Sequence, residues 1–234
     1  MSPDVLIISC EHGGNTVPPH YTSLFAAYQA LLPTHRGWDP GALQLAQQMA
    51  LALDAPLFYA TTTRLLVDLN RSVGHHQLFS EPTRGLSTAA QADILRRFYW
   101  PHRHRLEAEV ARCIAAGRRV VHIAAHSFTP ELNGTVRRAD VACLYDSRRP
   151  PERTLARRWL TELKAASAAL VLRRNYPYNG RGDGLATQLR KRYGGELYIG
   201  IELEVNQRFV ATGGTPWTAL RGQLIEALRT ALAQ

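Results

Sequence analysis

Four short apolar runs in this chain end on residues that could do chemistry. Val5-Leu6-Ile7-Ile8-Ser9 leads into Cys10-Glu11-His12-Gly13-Gly14-Asn15, and Val120-Val121-His122-Ile123-Ala124-Ala125 leads into His126-Ser127-Phe128. Leu65-Leu66-Val67 leads into Asp68-Leu69-Asn70-Arg71, and Leu197-Tyr198-Ile199-Gly200-Ile201 into Glu202-Leu203-Glu204-Val205-Asn206. Open α/β sheets bind ligands beyond the carboxyl ends of their strands. Two histidines, an arginine and a carboxylate gathered there would suit metal-assisted hydrolysis with an anion clamp.

Each residue also has a plainer reading. His12 sits in a glycine-rich loop whose backbone can approach a metal or substrate closely, but a loop histidine can also simply bond its neighbours. His126 follows an apolar strand, where a polar group must be satisfied by hydrogen bonds or by a metal. Asp39, in Gly37-Trp38-Asp39-Pro40-Gly41, is either a turn former before a helix or a third metal ligand. His122 reads as a packing residue, and His75, His76, His102 and His104 as loop or helix-surface residues. Arg64 and Arg71 offer planar guanidinium groups suited to a carboxylate; the plainer reading is a salt bridge to Asp68 or another acid. Asn175-Tyr176-Pro177-Tyr178-Asn179-Gly180 places amide and phenol groups on a turn, as a pocket wall or a capped loop. Strand alternation puts Glu202, Glu204 and Asn206 on one face, which is either a wet sheet edge or the wall of a site holding a general base.

The elements needed to position these groups alternate along the chain, as in a sheet covered by helices. Strands are expected at Val5–Ser9, Leu57–Thr61, Arg64–Leu69, Arg119–Ala124, Val141–Tyr145, Ala169–Leu172 and Leu197–Glu204. Helices are expected at Tyr21–Leu32, Gly41–Leu53, Thr88–Ala116, Glu152–Ala166, Gly184–Tyr193 and Pro216–Ala233. Pro101 should interrupt or kink the third of these, and Thr215 should cap the last. No repeat or long linker divides the sequence, so residues 1–234 are expected to form a single domain of mixed, mostly parallel α/β class.

Composition narrows the functional classes. In 234 residues the formal charge is +9, carried almost entirely by arginine. A basic stripe would suggest nucleic acid, but these arginines are scattered without interleaved aromatics. No nucleic-acid partner is therefore expected; the excess reflects coding bias or draws in a small anionic substrate. A basic nucleic-acid-binding protein without catalysis remains the alternative of a different class. No apolar run approaches the roughly 20 residues of a membrane span. Met1-Ser2-Pro3-Asp4 lacks the basic start of a signal peptide. Cys10, Cys113 and Cys143 are scattered and odd in number, which fits a reducing cytoplasm better than a disulfide framework.

Taken in order, the segments Ser9–Asn15, Trp38-Asp39-Pro40-Gly41, Asp68–Arg71, His126-Ser127-Phe128, Asn175–Gly180 and Glu202–Asn206 resemble the N-formylglutamate amidohydrolase family. The resemblance spans about residues 5 to 210. It implies a fold of the zinc-exopeptidase, or phosphorylase/hydrolase-like, class, with helices on both faces of the sheet. It also implies metal-dependent hydrolysis of an N-acyl amino acid such as N-formyl-L-glutamate, or of a related amide or small peptide. His12 and His126 resemble the two histidine ligands of one divalent ion, zinc being expected. Carboxypeptidase-like relatives carry a glutamate three residues after the first histidine, where this chain has Asn15. Asp39, with Glu11 as the alternative, then stands as third ligand. Glu204 resembles the catalytic glutamate and Arg64 the carbonyl-polarising arginine. Asn70 and Arg71 resemble the pair that holds the substrate carboxylate, with Asn175 and Tyr178 lining the same pocket.

Overall fold

The computed structural model describes residues 4–234, so the reading of Met1-Ser2-Pro3 as free of a signal peptide lies outside the described residues. The chain opens with strand β1 (Val5–Cys10), a 3₁₀ segment (Pro19–Leu31), helix α1 (Ala42–Ala52) and strand β2 (Leu57–Tyr59). Helices α2 (Glu81–Arg84), α3 (Thr88–Ile94) and α4 (Trp100–Ala115) follow, then β3 (Val120–Phe128). A small hairpin, β4 (Glu131–Leu132) and β5 (Thr135–Val136), leads to β6 (Val141–Leu144), α5 (Pro150–Ala166) and β7 (Leu172–Arg174). The chain closes with α6 (Leu185–Arg192), β8 (Tyr198–Asn206), α7 (Arg208–Thr212) and α8 (Gly214–Ala233).

Six strands form one sheet in the order β2-β1-β3-β8-β6-β7. β2, β1, β3 and β8 are parallel; β6 runs antiparallel to β8, and β7 parallel to β6. The fold is therefore the expected mixed, mostly parallel α/β arrangement with helices on both faces. One face is apolar. Ile8, Val121, Ile123, Ile201 and Leu203 pack there against Leu45 and Met49 of α1, Trp159 of α5 and Leu224 of α8. The other face is covered by α4 and α6, where Ile7, Val120 and Tyr198 meet Leu106, Val110, Leu185 and Leu189. Near the carboxyl ends of β1, β3 and β8 that second face turns polar. No helix among the described residues is long and apolar enough to cross a membrane.

Several expectations need correction. Arg64–Leu69 is a chain of turns, not a strand. Its apolar side chains pack in a separate cluster with Tyr21, Phe25 and Ile94, and a short buried run has no periodicity to separate turn from strand. The strand expected at Ala169–Leu172 begins at Leu172, because Lys164 Nζ holds the Ala168 and Leu170 carbonyls (2.6 and 2.9 Å) in the turn after α5. The interruption expected at Pro101 is present, as a change of helix type just before it. The turn Leu95–Tyr99 widens to a π-helix, and Pro101 falls in the first turn of α4, where a missing N–H costs little. Helix α8 starts before Thr215, with Gly213 at the cap position. The β4–β5 hairpin was not anticipated, although Asn133-Gly134, with φ of 50° and 74°, has the two left-handed residues of a tight hairpin turn.

Candidate functional site

Three strand ends deliver the central groups. β1 ends at Cys10, so Glu11 and His12 emerge directly from its carboxyl end. His126 lies near the end of β3 and pairs in register with Glu204 of β8, which places both side chains on the same face. The loop after His12 runs against residues 60 and 61. A Cβ on Gly14 would lie 2.6 Å from the Thr61 carbonyl oxygen, so only glycine fits. Asp39 enters from the turn before α1. Its N–H donates to the His12 carbonyl (2.9 Å), and its side chain makes no helix cap.

The two imidazoles converge on one oxygen. His12 Nδ1 lies 3.3 Å and His126 Nδ1 2.9 Å from Asp39 Oδ2. Each ring has a second carboxylate behind it. His12 Nε2 bonds Asp68 Oδ1 at 2.8 Å, and His126 Nε2 faces Glu11 Oε2 at 3.3 Å. Arg64 ties the acids together, donating to Asp39 Oδ1 (3.2 Å) and Asp68 Oδ2 (2.7 Å). All of these except Arg64 are buried. Potential ligand atoms of His12, Asp39 and His126 lie within 4.8 Å of one another, the single such cluster of three among the described residues. A carboxylate bonded to the far nitrogen of a metal-binding imidazole fixes its tautomer and orientation; Asp68 does this for His12, and Glu11 stands at ion-pair distance behind His126. The donor set therefore suits a metal ion. Asn15 points elsewhere, its amide donating to the Leu32 carbonyl at 3.0 Å.

Charge sorts the carboxylates into two kinds. Burial alone would raise the Asp39 carboxyl, but His12, His126 and Arg64 hold it well below the usual range. Asp68 is pulled down against burial by Arg64 and His12, and Glu11 by His102 and His126. Asp39 and Glu11 raise the pKa of His126 against its burial. Glu204 behaves oppositely. Burial dominates, Asp39 and Glu202 add to it, and its carboxyl is pushed up to about 8. Its Oε2 is buried with no hydrogen-bond partner.

The remaining expected residues are placed around this centre. Asn70 is fully engaged, accepting from Leu185 N–H (2.7 Å) and donating toward Glu202 (3.4 Å). Arg71 Nη1 donates to the Asp183 carbonyl (2.7 Å), while its Nε is buried without a partner. Asn175 Oδ1 accepts from Tyr145 N–H (2.9 Å) and Gly180 N–H (3.2 Å), so it builds the turn that carries Tyr178. Tyr178 is half exposed at the rim. The sequence reading gave no site role to Asp68 and only an alternative one to Glu11, and it put His102 on the surface. His102 is instead buried, its Nε2 3.6 Å from Glu11. The signal was present: His102, Leu106, Val110 and Cys113 share one helical face, and all are buried.

The model of the N-formylglutamate amidohydrolase family matches residues 5–211. No curated protein matches. Among solved structures, gene product Atu2144 of Agrobacterium tumefaciens is similar with a TM-score of 0.84 and 29% identity, covering 98% of this chain and 91% of that one. The N-formylglutamate amidohydrolase of Ralstonia eutropha JMP134 superposes with a TM-score of 0.72 at 18% identity, over 98% of this chain and 94% of that one. At that identity the second likeness speaks for the fold alone.

Proposed function

The chain belongs to the N-formylglutamate amidohydrolase family, and from that premise we propose that it hydrolyses N-formyl-L-glutamate to formate and L-glutamate. Residues 1–234 act as one catalytic domain on a small anionic substrate, with no nucleic-acid partner. Three buried free cysteines suit a reducing cytoplasm. The observation that carries the reading is the pair of Nδ1 atoms meeting at Asp39, with the orphaned Glu204 oxygen on the same face.

His12, Asp39 and His126 would hold one divalent ion, zinc by donor chemistry. When bound, such an ion supplies Lewis acidity to the amide carbonyl and makes water more acidic. Asp68 and Glu11 keep both rings turned so that Nδ1 faces inward. Glu204 Oε2 takes the proton of the attacking water and passes it to the leaving amine nitrogen. A carboxyl at about 8 can both accept and return a proton near neutrality. Arg64, held by Asp39 and Asp68, directs positive charge at the oxyanion that develops on the amide oxygen. Arg71, with an unspent Nε, receives the substrate's α-carboxylate. Asn70 fixes the neighbouring backbone to α6, and Asn175 sets the loop from which Tyr178 closes the pocket.

The test is metal content of the purified protein together with formate release from N-formyl-L-glutamate before and after chelation. About one metal per chain and chelator-sensitive release are expected from a single three-ligand site. Metal without formate release would move the substrate to another N-acyl amino acid or small peptide. Protein that takes up no metal and releases no formate would overturn the reading.

A further inference from the structure

Three arginines stand around the site, and they differ in what already neutralises them. Arg64 is committed to Asp39 and Asp68, and Arg71 holds a backbone carbonyl. Arg137 has no acidic partner among the described residues, yet it is held firmly. Its N–H donates to the Pro130 carbonyl (2.7 Å), and its own carbonyl accepts from Asn206 Nδ2 at 3.0 Å. Asn206 lies two residues beyond Glu204 on β8, so the backbone of Arg137 is fixed to the strand carrying the proposed base. The β4–β5 hairpin between β3 and Arg137 turns tightly at Asn133-Gly134 and returns the chain to this end of the sheet.

The guanidinium is also aimed. Arg137 Nη1 donates to Tyr178 Oη at 3.3 Å, and the group lies 5.3 Å from the centre of the Tyr178 ring. A phenol and an aromatic face hold a cation in place without cancelling its charge. Nε and Nη2 make no hydrogen bond among the described residues and remain for an outside acceptor. Tyr178 in turn lies close enough to Arg64 to influence it, and Arg137 and Arg64 both add to the burial that depresses His35. The free cation therefore stands beside Tyr178 at the end of the sheet where Asn206 and Glu204 lie.

We propose that Arg137, presented by Tyr178, is a specificity-determining site for a second carboxylate on the substrate, the one at the end of the amino-acid side chain. This rests on the amidohydrolase reading and adds to it the residue that tells the side-chain carboxylate of the substrate from a neutral group. Arg71 takes one carboxylate, and Arg137 takes the other as a planar, charge-assisted pair. A side-chain amide in its place leaves the guanidinium without a matching charge.

Two measurements on metal-supplemented protein test this, for the wild type, Arg137→Ala and Arg137→Lys. One is hydrolysis of N-formyl-L-glutamate against N-formyl-L-glutamine; the other is calorimetric binding of L-glutamate against L-glutamine. Arg137→Ala should cut the preference for the acid about 30-fold in both, the scale of one lost hydrogen-bonded charge pair. Arg137→Lys, which keeps the charge and loses the fork, should fall between. An unchanged preference, an equal loss for acid and amide, or a wild type without preference would overturn the proposal. Arg137-dependent glutamate binding without formate release would keep the subsite and defeat the deformylase reading. Formate release with a preference that survives Arg137→Ala would do the reverse.

Discussion

The two faces of the central sheet are built from alternate residues of the same strands, and both are buried. Toward α1, α5 and α8 the strands present Ile8, Val121, Ile123, Ile201 and Leu203, and stability there grows with apolar area and close packing. Toward α4 and α6 they present Ser9, His122, His126 and Glu204, where every polar atom needs a named partner. Most have one. Ser9 bonds His122 at 2.8 Å, and His126 meets Asp39. The carboxylate oxygen left without a hydrogen bond or an ion pair, Glu204 Oε2, lies at the strand ends rather than along the sheet, and both Glu11 oxygens face histidine nitrogens at ion-pair distance. One face should thus tolerate changes of shape at a cost in stability, whereas the other is expected to lose function when a single atom is replaced.

Replacing Glu204 by Gln probes that contrast most strongly. The change is isosteric and removes the group proposed to move the proton, so kcat should fall about 1000-fold or more. The melting temperature should hold or rise, since a buried carboxyl without a partner is unfavourable. A variant with full turnover would place the base elsewhere. On the apolar face Ile123→Ala should do the opposite. Lost burial and the cavity left behind should cost about 3 kcal/mol in urea unfolding, with kcat per folded molecule kept. If Ile123→Ala silenced the folded enzyme, the two faces would not be separable.

The apolar face was easy to read in the sequence, because apolar-rich runs such as Val120–Ala125, broken only by His122, fit strands or buried helix. The strand ends that deliver His12, His126 and Glu204 followed from the same runs. Tertiary pairing was harder. Asp68 looked like a salt-bridge partner for Arg64, and it is one, but it also orients His12 across 56 residues of sequence, which no local pattern reveals. Glu11 stood beside His12 in the sequence, yet it turns to His126 and His102 instead. Only the depth of its burial explains why it must be paired from two sides. The Arg64–Leu69 turns escaped because buried apolar residues satisfy a loop packed on Tyr21 and Phe25 as well as they satisfy a strand.

A smaller and more selective effect should come from His122, which lies on the polar face but away from the cluster around Asp39. Its Nε2 meets Ser9 Oγ at 2.8 Å and its Nδ1 meets Tyr198 Oη at 2.7 Å, so a neutral ring is satisfied on both sides. Burial pushes its pKa down to about 4 from the ordinary 6.5, although Glu11 pulls the other way. The unfolded chain therefore binds a proton that the folded chain refuses. The resulting stability is complete above about pH 7 and is lost as pH falls from 6.5 toward 4, amounting to about 2 kcal/mol between pH 7.5 and 5. His122→Gln keeps a donor and an acceptor for the two hydroxyls but cannot titrate. Urea unfolding at both pH values should show the wild type losing about 2 kcal/mol more than the variant. Equal losses would mean that acid sensitivity arises in the carboxylates around His12 and His126. The polar face would then fail as one electrostatic unit, not residue by residue.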